Sequence, residues 1–301
     1  PLCTCTRECW STVRPVKIAT FNCNSIRSRA DAVVGWLQKN KPDVLCLQET
    51  KCRDEDFPSA PFLEAGYVVS IRGQKAFNGV ALMSKSPPAE LLSGLPGVEI
   101  AGEARFIAAE VDGVWVVNTY VPQGRSIESE HFQLKLAWLS RFRALLESAY
   151  SPDQPIVWVG DLNVATQDID VYDPQGLREH VDFHPDAQAA LENVRTWGFT
   201  DVFRLHHPDD TVSGKLGRVN QACIGPPFFI IGRARFAGYR LPREYLRFRC
   251  RQFLRFACHH SPLSWISSGQ RSPPGLVSGS SAPGARSLLP TEDKQSPHRL
   301  A

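Results

Sequence analysis

The sequence predicts an α/β protein built on a mixed sheet. Three observations carry this prediction. Short apolar runs alternate with segments whose apolar residues recur at helical spacing. Two of the runs, Phe106 to Val111 and Val114 to Val121, are joined by Asp112-Gly113, the two-residue signal of a tight hairpin. In a chain of 301 residues, 43% hydrophobic and 22% charged residues suit a soluble globular protein and exclude collagen-like and wholly disordered classes.

The elements follow in order. Val16 to Asn22 is a short apolar run ending on a polar residue. Ala30, Val33, Val34 and Leu37 form one helical stripe, which Pro42-Asp43 ends. Val44 to Leu47 reads as a buried strand stopping at Gln48-Glu49, and Val80 to Met83 as another. After the hairpin, Leu134, Ala137, Trp138, Phe142 and Leu145 mark a second helix. Ile156 to Val159 is a strand stopping at Gly160-Asp161. Ala187, Ala190, Leu191 and Val194 mark a third helix, closed by Trp197-Gly198. Strands mixed with helices and at least one hairpin give the α/β class.

Charge divides the chain. Residues 211–301 hold 14 Lys/Arg against 3 Asp/Glu, and residues 1–210 hold 20 against 28, so a net +3 hides parts of +11 and −8. Periodicity stops at the same place. Pro226 to Ile231 is apolar but isolated, residues 233–255 are Arg-rich, and residues 261–301 carry 10 Ser and 6 Pro. Residues 1–15 show no period and hold Cys3, Cys5 and Cys9 without a His or a second Cys pair to complete a site. The expected organisation is an unstructured leader (1–15), a folded domain (16–210), catalytic by the resemblance given below, and a basic, Ser/Pro-rich tail (211–301). No stretch approaches the roughly 20 apolar residues of a membrane span, and no secretory core is seen near the start. Nine cysteines, with Cys46 inside an apolar run, suit a reduced cytoplasmic compartment.

Four apolar runs end on polar groups: Asn22, Gln48-Glu49, Asn118-Thr119-Tyr120 and Asp161-Leu162-Asn163. Ligand sites of α/β proteins collect at strand ends. Carboxylates, carboxamides and a phenol suit a hard cation such as Mg²⁺. Such a cation polarises a phosphoryl oxygen, and a second carboxylate can deprotonate an attacking water. Taken singly, Glu49 reads as a loop residue, Asp161-Leu162-Asn163 as a turn and Tyr120 as a strand aromatic. Together they allow metal-assisted phosphoester chemistry.

Longer strings narrow this. Lys17-Ile-Ala-Thr-Phe-Asn22, Leu47-Gln-Glu-Thr-Lys51, Gly79-Val-Ala-Leu82, Asn118-Thr-Tyr-Val-Pro-Gln-Gly124, Gly160-Asp-Leu-Asn163 and Trp197-Gly-Phe-Thr-Asp-Val-Phe203 resemble, in order, the exodeoxyribonuclease III family of apurinic/apyrimidinic endonucleases. The resemblance covers about residues 16–210. It implies a four-layered α/β sandwich of two mixed sheets flanked by helices, and Mg²⁺-dependent (or Mn²⁺-dependent) cleavage of duplex DNA at abasic sites and from 3′ ends. It implies a DNA-repair enzyme that acts as a monomer and binds no membrane. By motif, Glu49 is a metal ligand and Asn22 assists at the metal. Tyr120 and Gln123 contact the phosphate, Asp161 orients or deprotonates the water, and Asn163 stabilises the phosphoryl oxygens. Asp201 is structural. Lys51, Arg53, Arg72, Lys75, Arg105 and Arg125 are candidates to position the DNA backbone.

The resemblance also marks what is missing. The family continues with a W-D-Y-R string, an Arg-x-Asp strand and a terminal Ser-Asp-His whose histidine is central to the chemistry. None of these is found, and no Asp precedes any of the eight His; His259-His260 sits in Ala-Cys-His-His-Ser. No catalytic His is assigned. A shifted reading frame after about residue 210 accounts for the loss of motifs, periodicity and charge balance together. The second sheet is then incomplete and activity impaired. Two other functions compete: a non-catalytic nucleic-acid binder using the +11 tail, and another phosphodiesterase of the superfamily, acting on lipid or inositol phosphates.

Overall fold

The computed structural model describes residues 16–96, 103–206, 208–210 and, for the backbone alone, 230–232. The leader (1–15), most of the tail and its His259-His260 pair therefore lie outside the described residues.

Four strands make the first sheet: β1 (Ile18–Asn22), β2 (Val44–Gln48), β3 (Val68–Arg72) and β4 (Val80–Ser84), in the order β1-β2-β4-β3. β1 and β2 are parallel, and the other pairs antiparallel. The second sheet has the order β5-β6-β7-β8-β10-β9, from β5 (Glu90–Ser93), β6 (Phe106–Val111), β7 (Val114–Tyr120), β8 (Ile156–Asp161), β9 (Phe199–Asp201) and β10 (Ile230–Gly232). Its only parallel pair among the described residues is β7 with β8. The β6–β7 hairpin turns as its Asp-Gly pair dictates: Asp112 (φ 50°) and Gly113 (φ 77°) are both left-handed.

Period-two alternation sorts the strand residues into three apolar layers. Val44, Cys46, Val80 and Leu82 of the first sheet meet Ile107, Ala109, Val111, Val116 and Val159 of the second, forming the layer between the sheets. The intervening residues Leu45, Leu47, Ala81 and Met83 face outward. They pack with Val33 and Leu37 of α1 (Ala30–Asn40) and Phe62 of α2 (Ala60–Glu64). On the far side, Phe106, Ala108, Val117 and Trp158 pack with α3 (Glu130–Ala149) and α4 (Pro185–Arg195). Four layers of secondary structure thus enclose three layers of apolar side chains. A run of rings from Trp138 through Phe142, Trp158 and Phe199 to Trp197, with centroids 4.8–5.6 Å apart, fills the outer one.

Three features differ from the sequence reading. The buried face of α3 is Phe132, Lys135, Trp138, Leu139, Phe142, Leu145 and Leu146, while Ala137 is exposed and Leu134 half-buried. Lys135 shares this face because its ammonium finds buried acceptors. The elements α2, β3, β5, β9 and α5 (Val202–His206) are three to five residues long. Such lengths are too short to show a period. Finally, Ile230–Gly232, which begins in the apolar run read as isolated (Pro226 to Ile231), enters the second sheet between β8 and β9.

A polar latch joins the sheets. Buried Asn118 of β7 donates from Nδ2 to the Leu47 and Ala81 carbonyls, each at 3.0 Å, and its Oδ1 accepts from Gln48 Nε2 at 2.6 Å. Gln48 also donates to Thr20 Oγ1 at 2.9 Å. Each group is dry, so each hydrogen bond left unmade costs the full desolvation of its partner. Asn118→Leu strands an amide donor and two carbonyls. It is expected to lose about 3 kcal/mol, at roughly 1 kcal/mol or more per stranded group. In thermal denaturation that is a Tm lower by about 6–12 °C for a domain of this size.

Candidate active site

The two parallel strand pairs end at the same place. Asn22 and Gln48 are register partners at the ends of β1 and β2, and Tyr120 and Asp161 at the ends of β7 and β8. The site is made where these four ends meet.

Asn22 connects them. Its Nδ2 donates to Glu49 Oε1 and to Asp161 Oδ2, both at 2.7 Å. One carboxamide from the first sheet therefore holds two carboxylates, one from each sheet. Tyr120 adds a hydrogen bond to Glu49, and Lys51 Nζ meets Glu49 Oε2 at 2.7 Å. The backbone N–H of Asn163 donates to Asp161 Oδ1 at 3.1 Å, while Asn163 Nδ2 donates to the Val121 carbonyl at 2.8 Å.

The local backbone is unusual. Glu49 (φ 53°), Lys51 (φ 53°), Asn163 (φ 48°), Asn24 (φ 40°) and Ser25 (φ 85°) are left-handed without being glycine. Such residues cost about 1–2 kcal/mol each and collect where function needs them. Gly160 (φ 138°) precedes Asp161 and sits opposite Thr119; a Cβ there would lie 1.9 Å from the Thr119 carbonyl oxygen. Only glycine allows β7 and β8 to approach so closely before they deliver Tyr120 and Asp161.

The two carboxylates are driven apart in proton affinity. Burial pushes Glu49 up, but hydrogen bonds from Lys51, Asn22 and Tyr120 outweigh it and hold the carboxyl below its ordinary value. Burial pushes Asp161 up, the neighbouring Glu49 charge adds to the rise, and Asn22 and the Asn163 N–H offset only part. Tyr120 is also pushed up, by burial and then by Glu49 and Asp161, and remains a proton donor. The arrangement holds one carboxylate firmly ionised beside one ready to take a proton.

The donor set suits a hard divalent cation. Mg²⁺ binds through one or two carboxylates and keeps sites for water and substrate phosphate. Glu49 supplies one ionised carboxylate, with the Asn22 carboxamide beside it. Among the described residues no group of three or more His, Cys, Asp or Glu could hold a metal by itself.

Of the residues singled out from sequence, Asn22, Glu49, Tyr120, Asp161 and Asn163 are brought together. Gln123 is not: it is exposed, and its side chain hydrogen-bonds Asp182. Asp201 accepts from the Arg204 N–H at 2.9 Å and caps α5, which is a structural role. Lys51 stands in the site. Arg105 lies 4.8 Å from the Tyr120 ring centroid, paired to Glu103 at 2.8 Å. Arg53 is taken by Glu55 and Asp56, and Arg72 reaches the Ser93 carbonyl at 3.5 Å. Lys75 and Arg125 are exposed.

Sequence reasoning missed the support beneath the site. Buried Lys135 and Asp182 pair at 2.9 Å, and buried Asp170 pairs with Arg204. The one available signal was a lysine in register with Phe132, Leu139 and Phe142 on the apolar face of a helix.

Comparison with known proteins places the chain in a family. The profile of the Endonuclease/Exonuclease/phosphatase family matches residues 19–255. The chain is 33% identical over 199 residues to the DNA repair nuclease APEX1 of Danio rerio, a match covering 64% of each chain. It is 31% identical over 204 residues to exodeoxyribonuclease III of Haemophilus influenzae, across 64% of this chain and 76% of that one. An AP endonuclease structure from Archaeoglobus fulgidus superposes with a TM-score of 0.68 at 41% identity, over 72% of this chain and 87% of that one. The chain therefore spans less than two thirds of the Danio rerio nuclease's length.

Two neutralising substitutions are expected to act with different signs on stability. At pH 7 the ionised Glu49 is favoured by its donors, so Glu49→Gln is expected to lose about 1 kcal/mol. The ionised Asp161 is disfavoured by burial, so Asp161→Asn is expected to be at least as stable as the parent. Thermal denaturation of both variants at pH 7 checks the order; a less stable Asp161→Asn than Glu49→Gln contradicts it.

Proposed function

The chain belongs to the Endonuclease/Exonuclease/phosphatase family, among the exodeoxyribonuclease III-like hydrolases, and from this we propose that it cleaves phosphodiester bonds of duplex DNA, at abasic sites and at 3′ ends, in base-excision repair. The observation that carries the reading is the Glu49–Asn22–Asp161 bridge, two carboxylates of opposed proton affinity at the joined ends of two sheets.

Each residue then has a role. Glu49, with Asn22 assisting, would hold Mg²⁺ (or Mn²⁺), which when bound supplies polarisation of the phosphoryl oxygen. Asp161 orients the attacking water and takes its proton; burial raises its basicity, and its two hydrogen bonds fix its direction. Tyr120 keeps its proton and offers a hydrogen bond to the phosphate. Asn163 stands beside the same oxygens. Gln123, exposed just after β7, contacts the phosphate in this reading, for which its side chain has to leave Asp182. The enzyme would act as a monomer.

The Asp-His string that completes the water-activating arrangement in the family is absent from the sequence. Groups that act as a unit lose orders of magnitude together. The expected activity on abasic duplex DNA is therefore weak but Mg²⁺-dependent, about 100-fold or more below that of a relative holding the string. Asp161→Asn is expected to abolish it. The assay is incision of a labelled abasic duplex with Mg²⁺ and with chelator. No incision and no release from 3′ ends, or incision that survives Asp161→Asn, overturns the reading.

A further inference from the structure

Lys135 is fully buried in α3, on the core-facing side of a helix whose other inward residues are apolar. Burying an ammonium costs several kcal/mol unless acceptors surround it. Here they do. The three N–H groups of its Nζ are shared among four acceptors: the Gln123 carbonyl at 3.1 Å, the Asn163 carbonyl at 2.5 Å, the Val181 carbonyl at 2.7 Å and Asp182 Oδ1 at 2.9 Å. These acceptors lie on three stretches: just after β7, just after β8, and just before α4 at the far end of the same connection.

Two of those stretches belong to the site. Asn163 is left-handed at φ 48°, and its N–H aims Asp161 through the 3.1 Å bond to Oδ1. A strained residue persists only where its surroundings over-determine it. Asn163 is held at its carboxamide by Val121 and at its carbonyl by Lys135. The Gln123 backbone is held by the same ammonium, while the Gln123 side chain bonds the Asp182 that neutralises it.

We propose that Lys135 is a positioning residue for this site: its ammonium clamps the loops after β7 and β8 together and, through Asn163, sets the direction of Asp161. The inference rests on the catalytic reading above but has a separate readout. It says nothing of contact between Lys135 and substrate, from which the residue is buried.

Lys135→Met alone leaves Asp182 buried and unpaired and is exposed to loss of fold. Lys135→Met/Asp182→Leu removes both charges at similar volume, a replacement that is often neutral or stabilising. The double variant is expected to keep a Tm within about 5 °C of the parent, a shift within the usual range for one or two kcal/mol. Peptide-level hydrogen exchange is expected to speed up severalfold at residues 121–125 and 161–166 while the peptides of β2 and β4 are unchanged. In the incision assay kcat is expected to fall about 10-fold or more with KM within threefold, the pattern of lost alignment.

Unchanged exchange and unchanged kcat in a folded double variant overturn the inference. A double variant that has lost its fold overturns it too, placing Lys135 in stability alone. If the parent itself does not incise, the catalytic reading fails and the exchange arm decides: loosened loops support the clamp, and unaltered loops overturn it.

Discussion

Two carboxylates held within reach of one carboxamide form the constraint on which the rest of this molecule depends. Glu49 and Asp161 repel each other and share Asn22 as a donor at 2.7 Å on either side. Neither sheet alone can make this contact, because Glu49 follows β2 and Asp161 ends β8. The strand ends must arrive together, which fixes how the sheets face. The layer of Val44, Cys46, Val80 and Leu82 against Ile107, Val116 and Val159 supplies the attraction. That layer is non-directional and would tolerate sliding. The Gln48–Asn118 latch does not, because its buried amides have one satisfied arrangement.

Local strain collects at the same ends. The left-handed residues Asn24, Ser25, Glu49 and Lys51 follow β1 and β2, and Asn163 follows β8. Each lies one to three residues beyond its strand, where the chain must turn sharply without leaving the site. Hydrogen bonds answer the strain directly: the Ser25 N–H donates to the Glu49 carbonyl at 2.7 Å, and the Lys51 N–H to the Asn78 carbonyl at 2.9 Å. The loops after β1 and β2 therefore brace each other, and Gly79 and its neighbours brace the second loop.

Much of this frame was legible in the sequence, for physical reasons that differ by element. The strands of the central layer showed because alternation or full burial leaves a strong apolar run, and the hairpin showed because Asp112-Gly113 names its own turn. Asn22, Glu49, Tyr120, Asp161 and Asn163 stood out as polar groups ending those runs, and their roles came from ordered strings rather than from periodicity. The supports did not show. Lys135 reads as a surface residue in any composition scheme, since nothing local reveals that three carbonyls converge on it from distant loops. The same applies to Asp170, which accepts from the Gln167 N–H at 2.9 Å and the Thr166 hydroxyl at 3.0 Å while meeting Arg204. Gln123 was read from its string as a phosphate contact, while its side-chain bond to Asp182, a residue in a segment with no period, had no signal in the sequence. Helical phase misled at Ala137 because the stripe was counted without Lys135 in it.

The charges around the site lead to a last consequence. On the proposed function the site must draw a polyanion toward its own carboxylates, yet Lys51 and Arg105 beside them are already paired with carboxylates. Lys51 is held by Glu49 and Arg105 by Glu103, each within 2.8 Å. Residues 1–210 carry a net −8, so the field of this part as a whole opposes DNA. An incoming phosphate therefore has to compete with a carboxylate for each cation. The exchange is close to balanced, because one anion replaces another at the same donor. A divalent cation held by Glu49 would neutralise the carboxylate that Lys51 now serves, and so would free the ammonium for the substrate. On the proposed function, metal and phosphate binding would be coupled through Lys51, each strengthening the other by linkage.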